Sequence, residues 1–261
     1  MRNEIKKLLD DFSSSGKQKF DLHMHTTFCD GKNTPEEMVL SAIEKGLTTV
    51  GISGHALTCF DKSYCMSDER LSEYFAEVER VKEKYSDKIK VLCGLEVDYY
   101  SKVPEEYLKR ADYIIGSVHY ICKDGEYAVV DSSAKKIRDA AERLWGGDVY
   151  AMIEDYYKTV ADVVNKLDPD VIGHIDLITK FIEVDDYFDT LNPRYIEASR
   201  NAVKALIPYA VPFEINYGAI SRGYRTLPYP EKSLLDFIIE NGGRTVKSSD
   251  AHSKENILTA E

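Results

Sequence analysis

From Phe20 onward the chain alternates short apolar runs with stretches whose apolar residues recur every three to four positions, the rhythm of strand followed by helix. The apolar runs predict seven strands: KFDLHMHT (19–26), TTVGIS (48–53), IKVLCGLEV (89–97), DYIIGSVHY (112–120), DVIGHID (170–176), VPFEIN (211–216) and RTVKSS (244–249). Helices are predicted to start near Thr34-Pro35-Glu36-Glu37, Ser67-Asp68-Glu69-Arg70, Val103-Pro104-Glu105-Glu106, Asn192-Pro193 and Pro230-Glu231, where a capping side chain, a first-turn proline or early acids suit the open N–H groups of a helix start. The region from Ala134 to Leu167 predicts two helices parted by Gly146-Gly147. Residues 1–16 add one amphipathic helix with Ile5, Leu8, Leu9 and Phe12 on its apolar face. No composition break, linker, repeat or low-complexity tract interrupts the pattern. The expected architecture is therefore α/β: a closed or nearly closed parallel barrel of seven strands in one domain, 17–261, with a helical extension at 1–16. An open doubly wound sheet is the alternative.

At 261 residues, 43% hydrophobic and 30% charged, the chain can bury one substantial core. Its polar, acidic N-terminus and the lack of a long apolar run predict neither a targeting peptide nor a membrane span, and so a cytoplasmic protein. The formal charge of -11 argues against extended nucleic acid as a partner. Three bound divalent cations would offset roughly half of that charge within one pocket, which suits a small anionic substrate. Five cysteines, Cys29, Cys59, Cys65, Cys93 and Cys122, form no CxxC pair and are expected to stay reduced.

The histidines change the picture. His23 and His25 end the first predicted strand, His55 follows the second, His119 ends the fourth, His174 ends the fifth and His252 follows the last, while Glu96 holds the same position on the third. In a parallel barrel these ends converge on one rim, where active sites of this architecture are built. In Asp21-Leu22-His23-Met24-His25 and Asp250-Ala251-His252, residues two apart project to one face of an extended chain. A single HxH arises readily by chance, but chance does not place a ligand at so many strand ends. Imidazole with carboxylate suits zinc, manganese or iron rather than magnesium or calcium, and the number of donors calls for more than one ion.

The order HMH, FCDG, SGHA, GLEVDYY, GSVHY, GHIDL and SSDAH resembles the PHP (polymerase and histidinol phosphatase) superfamily over nearly the whole chain from Phe20. The details GLEVDYY, GSVHYI, HIDLITKF and FEIN with a downstream YP look like its monofunctional histidinol-phosphate phosphatases. The resemblance implies a distorted seven-stranded (β/α)7 TIM-like barrel and a trinuclear centre of two to three divalent transition-metal ions, zinc, manganese or iron. One ion would be held by His23, His25, Glu96 and Asp250, a second by Glu96, His119 and His174, and a third by Asp30, His55 and His252. Glu96 would bridge. Many relatives carry histidine where this chain has Asp30, and an acidic residue often precedes the histidine that here lies in SGHA. The chain also runs only nine residues past His252, where relatives usually continue through a last helix, so the barrel is expected either to be closed by the N-terminal segment or to be left less covered.

The expected activity is hydrolysis of a small phosphorylated metabolite, L-histidinol phosphate first, by a water between two ions whose pKa they lower. Asp176, two residues beyond His174, is a candidate proton donor or a support for His174. Arg222, Arg225 and Lys180 are candidates for holding the phosphate, Arg222 by its likeness to the family's phosphate-binding arginine. The rivals are a PHP phosphoesterase for nucleoside bisphosphates, oligonucleotide ends or sugar phosphates, a non-catalytic PHP module, and a zinc amidohydrolase, which would bridge its metals through a lysine.

Overall fold

The computed structural model of the protein describes residues 2–15, 17–58 and 60–260, so Cys59 and the end positions of the two expected segments, Met1, Gly16 and Glu261, lie outside the described residues. Its strands are β1 (Phe20–Asp21), β2 (Thr49–Ile52), β3 (Lys90–Asp98), β4 (Tyr113–Ser117), β5 (Tyr120–Lys123), β6 (Glu126–Val129), β7 (Val171–Ile172), β8 (Phe213–Asn216) and β9 (Thr245–Ser248). Helices α1 (Arg2–Ser15), α2 (Pro35–Glu44), α3 (Asp68–Lys84), α4 (Glu105–Arg110), α5 (Ala134–Trp145), α6 (Val149–Ala161), α7 (Val163–Leu167), α8 (Pro193–Leu206), α9 (Gly218–Ser221) and α10 (Lys232–Glu240) fall between them. Seven strands hydrogen-bond in the order β1-β2-β3-β4-β7-β8-β9, and Met24 pairs in parallel with Ala251, returning the chain beyond β9 to the chain beyond β1. This is the α/β barrel that the pattern predicts.

Two details differ from expectation. The predicted strand 112–120 ends at Ser117, and Tyr120 opens an antiparallel hairpin, β5 with β6, for which no turn was read in the sequence. The strands that precede the HxH pair and His174 are also shorter than their apolar runs, with only Phe20–Asp21 and Val171–Ile172 in regular pairing, whereas β3, which bears Glu96, keeps its full length. Helix starts follow the capping chemistry closely. Thr34 and Glu37 form a reciprocal capping box on α2, Ser67 caps α3, Asn192 caps α8, and Gly146 ends α5 at φ +60°, a left-handed conformation that costs glycine little.

The chain divides into two compact units, residues up to Ile115 with Val246 onward, and Gly116–Thr245; β4 and β9 contribute residues to both. Within the first unit, Tyr113 fills the interior against Gly51 and Gly94, and its hydroxyl donates to the Leu22 carbonyl at 2.5 Å. A Cβ at either glycine would run into the Tyr113 ring or hydroxyl, so both must be glycine for the tyrosine to lie there. Helix α1 buries Ile5 and Leu9, and Phe12 meets Phe20 edge-on at 5.6 Å. Asp21, fully buried, accepts from the main-chain N–H groups of His23, Ser249 and Leu258, tying the first strand to the C-terminal segment. Within the second unit, α6 packs on α8 through Tyr156, Tyr157 and Tyr195, all buried. Among the described residues no helix is long and apolar enough to cross a membrane.

Candidate metal centre

In the first unit the candidate ligands sit where strands give way to irregular backbone. The Met24–Ala251 pairing, with His25 N donating to Ala251 O at 2.8 Å and Ala251 N to His23 O at 3.2 Å, brings the HxH segment beside Asp250 and His252. Asp250 is held at φ +46°, a left-handed conformation that is uncommon outside glycine though aspartate tolerates it better than most residues, and it falls at a predicted ligand. A parallel bridge between His55 and Glu96, with Ala56 N donating to Glu96 O at 2.9 Å, sets that histidine against that carboxylate. Asp30 comes from the tight turn after Thr26, where Gly31 approaches the His25 backbone too closely for a Cβ.

The result is a buried carboxylate ringed by imidazoles. Glu96 Oε2 lies 3.2 Å from His23 Nε2, 3.4 Å from His25 Nε2 and 3.0 Å from His55 Nδ1. Asp250 Oδ1 lies 3.2 Å from His25 Nε2 and 3.8 Å from His23 Nε2. Adjacent ligands on a tetrahedral ion with bonds of about 2.0–2.1 Å are about 3.3 Å apart, so these spacings would fit the edges of a coordination shell. Beside this group Asp30, His55 and His252, with His25, bring one ligand atom each to within 4.8 Å of one another. Asp30 Oδ2 is 3.2 Å from His252 Nε2, and Asp30 Oδ1 is 3.8 Å from His55 Nε2. Two donor sets that share His25, with His55 set against both Glu96 and Asp30, fit more than one ion.

Electrostatics agree. Burial pushes the His25 imidazole down to about 3, helped by neighbouring His252 and His55, so it is a neutral donor near pH 7. Burial alone would raise the Asp30 carboxyl, but His55, His252 and His25 outweigh it and hold Asp30 well below the ordinary carboxylate range. Cys29 Sγ lies 3.6 Å from His25 Nδ1, and in the absence of metal burial raises that thiol to about 12.

The remaining predicted residues belong to the second unit. His119 and His174 are buried, with rings 5.0 Å apart at 70°. Glu214, in the FEIN run, was assigned no role from the sequence; its Oε2 accepts from His174 N and from Asn216 Nδ2, both at 2.8 Å. The two-residue spacing of Glu214 and Asn216 on one strand face was the available signal. Asp176 is fully buried and raised to about 6, burial outweighing Arg225, and its Oδ2 accepts from Glu231 N at 2.6 Å.

Arg225 and Lys180 are engaged by this chain's own acids. Arg225, its side chain 1% exposed, donates to Thr179 Oγ1 at 2.5 Å and to Glu231 Oε2 at 2.7 Å, lies 3.6 Å from Glu183 Oε1 and covers the Tyr229 ring at 5.2 Å. Lys180 Nζ donates to the Asp131 carbonyl at 2.8 Å. Arg222, on the loop that Arg225 and Asp176 pin, faces the charge of Asp131.

A sequence model of the PHP domain matches residues 21–218, a stretch that runs through both units. The histidinol-phosphatase of Bacillus subtilis is 27% identical over 255 residues, covering 90% of this chain and 94% of that protein. Among solved structures, the hisK protein of Listeria monocytogenes shares the fold at a TM-score of 0.78 with 24% identity, over 91% of this chain and 97% of that one. The Lactococcus lactis histidinol phosphate phosphatase, complexed with zinc, L-histidinol and phosphate, superposes at a TM-score of 0.63 with 22% identity, over 90% and 86% of the two chains.

Proposed function

The chain belongs to the PHP domain family, and on that premise we propose that it is a metal-dependent phosphomonoesterase that hydrolyses L-histidinol phosphate to L-histidinol and phosphate. The observation that carries the reading is Glu96 Oε2, buried and 3.0–3.4 Å from nitrogens of His23, His25 and His55, a carboxylate crowded by imidazoles as a metal centre would need. The substrate rests on the likeness to histidinol phosphatases along nine-tenths of the chain.

In this reading His23, His25, Glu96 and Asp250 hold one divalent ion, Glu96, His119 and His174 a second, and Asp30, His55 and His252 a third, with zinc, manganese or iron as the metal. When bound, such ions lower the pKa of water and neutralise charge on the phosphoryl oxygens. Glu96 spreads one negative charge over the donors around it. His25, kept neutral by burial, offers Nε2 without competition from a proton near pH 7. Arg222 takes the phosphate oxygens with its planar fork of N–H donors. Asp176 and Arg225 act indirectly, by fixing the loop that carries Arg222. One phosphoesterase domain, 17–261, preceded by the extension 1–16 and working in the cytoplasm on a small metabolite, belongs to the same reading.

The test is a panel of histidinol phosphate, a nucleoside bisphosphate, a short 3′-phosphorylated oligonucleotide and a sugar phosphate, assayed after chelation and after reloading with zinc, manganese or iron. Turnover restored by metal and highest for histidinol phosphate supports the proposal. A metal-restored preference for another ester overturns the substrate, and turnover indifferent to chelation overturns the mechanism.

A further inference from the structure

Asp30 differs from Glu96 in how the fold delivers it. Glu96 stands on β3, whereas Asp30 lies on a turn between the Met24 bridge and α2, with 32% of its side-chain surface open. The inner side of that turn closes on the Thr26 carbonyl, which accepts from Cys29 N and Gly31 N at 3.0 Å each. Its outer side is gripped from α3. Arg70 Nε donates to the Phe28 carbonyl at 2.9 Å, its Nη2 donates to the Thr27 carbonyl, and the guanidinium carbon lies 5.5 Å from the centre of the Phe28 ring. One turn along the same face of α3, Tyr74 meets the Phe28 ring edge-on at 5.8 Å. Its hydroxyl, with one proton to share between the Ile52 and Gly94 carbonyls at 2.7 Å each, ties the helix to the runs that lead to His55 and Glu96.

Two features make this grip more than a surface tie. Ser67 caps α3, so Arg70 is the third residue of the helix, in the first turn, where the helix dipole favours anions and disfavours a cation. Asp68 and Glu69 follow that preference, whereas Arg70 opposes it and sends its side chain back past the helix end to the turn. The second feature is the fork. A guanidinium that spans two consecutive carbonyls fixes the orientation of both peptide planes, which a single contact would leave to rotate. A ligand must be held within about 0.5 Å of its place to complete a donor set, and a turn this open has little else to hold it. We infer that Arg70 is a positioning residue: by holding the Thr27 and Phe28 carbonyls it sets the reach of Asp30, and with it the occupancy of the ion assigned to Asp30, His55 and His252. Arg70 itself acts through the backbone and takes no part in coordination. This inference rests on the metal-centre reading above and adds to it what keeps the third donor set in place.

The experiment reads metal rather than turnover. Wild type, Arg70→Met, Arg70→Lys and Arg80→Met are stripped with a chelator, reloaded with manganese or zinc and titrated against a competing chelator, with ions per chain counted by elemental analysis. Arg80→Met is the control, since that arginine of α3 pairs with Glu36 and Glu77 rather than with the turn. Wild type should take up three ions. Arg70→Met should weaken one of them about tenfold, the lower end of the range for residues that orient ligands, while the Glu96 set keeps its wild-type affinity. Arg70→Lys, which keeps a donor for one carbonyl, should fall between the two, and Arg80→Met should match wild type. Added to Asp30→Ala, Arg70→Met should cost no further ion. An equal loss across all ions, or the same loss in Arg80→Met, would make Arg70 a general support of α3 and overturn the inference. If Arg70→Met does not fold, Arg70→Lys decides by the same comparison. A wild type that takes up no third ion would sink the three-ion reading and the inference with it, whereas three ions held equally well with and without Arg70 would sink the inference alone.

Discussion

Replacing Arg225 by methionine separates two roles for that arginine, phosphate ligand or internal tie. In the structure the guanidinium gives a charge-assisted bond to Glu231 and a bond to Thr179, with Glu183 at 3.6 Å and Asp176 within electrostatic reach. The first is worth about 1.5–3 kcal/mol and the second about 1 kcal/mol. Removing one partner of a fully buried pair costs about 3–5 kcal/mol, but Glu231 and Glu183 keep 22% and 29% of their side-chain surface and regain water, so the expected loss is nearer the low end, about 3 kcal/mol. For a chain of this size that is a fall in Tm of about 6–12 °C. Thermal unfolding of the chelated protein measures it without interference from bound metal. The same variant should bind inorganic phosphate more weakly once metal is restored, because the loop carrying Arg222 loosens, and the effect should be non-additive with Arg222→Met. A Tm within about 2 °C of wild type, together with additive losses of phosphate affinity, would refute the internal tie and return Arg225 to the phosphate.

Other perturbations test other links. Glu96→Gln should lower the metal content by at least one ion per chain by elemental analysis, and hydrolysis by about a hundredfold or more, since even partners of ligands cost up to that; unchanged metal content would sink the bridging role. Asp30→Ala should remove a single ion and leave the Glu96 set loaded, whereas loss of every ion, or of none, would contradict the separate third donor set. Gly51→Ala should destabilise by about 1–3 kcal/mol through overpacking on the Tyr113 hydroxyl, and Tyr113→Phe should partly rescue it while failing to rescue Gly94→Ala, which meets the ring itself. Asp176 has its carboxyl raised in the folded state from 3.8 to about 6, so the native protein binds the extra proton and the associated stability is full below pH 4 and lost as pH rises through 6. Asp176→Asn should therefore gain about 2–3 kcal/mol on the chelated wild type between pH 4 and pH 8, read by urea unfolding at both; no difference between the two pH values would contradict the burial.

Much of the site was legible in the chain because its information is local. Strand runs have a period of two, helix starts have capping chemistry, and a ligand at a strand end needs only to be counted from the run that precedes it. His23, His25, His55, Glu96, Asp250 and His252 were each named that way, and the four histidines among them meet within hydrogen-bond range of Glu96 or Asp30. The loop charges were not legible. Arg222, Arg225 and Lys180 look alike in sequence, a cation amid polar neighbours, and only the tertiary structure shows that Glu231 and Asp131, which lie 6 and 49 residues away, take Arg225 and Lys180. Asp131 itself had no local signal, since a hairpin places it beside His119, and Glu214 reaches His174 across 40 residues. Period, capping and ligand type are properties of neighbours in the chain, so the sequence alone determined the barrel and the candidate donors that gather in it. Which charge answers which is a long-range electrostatic matter, settled only when folding decides what lies next to what and how much water remains between them.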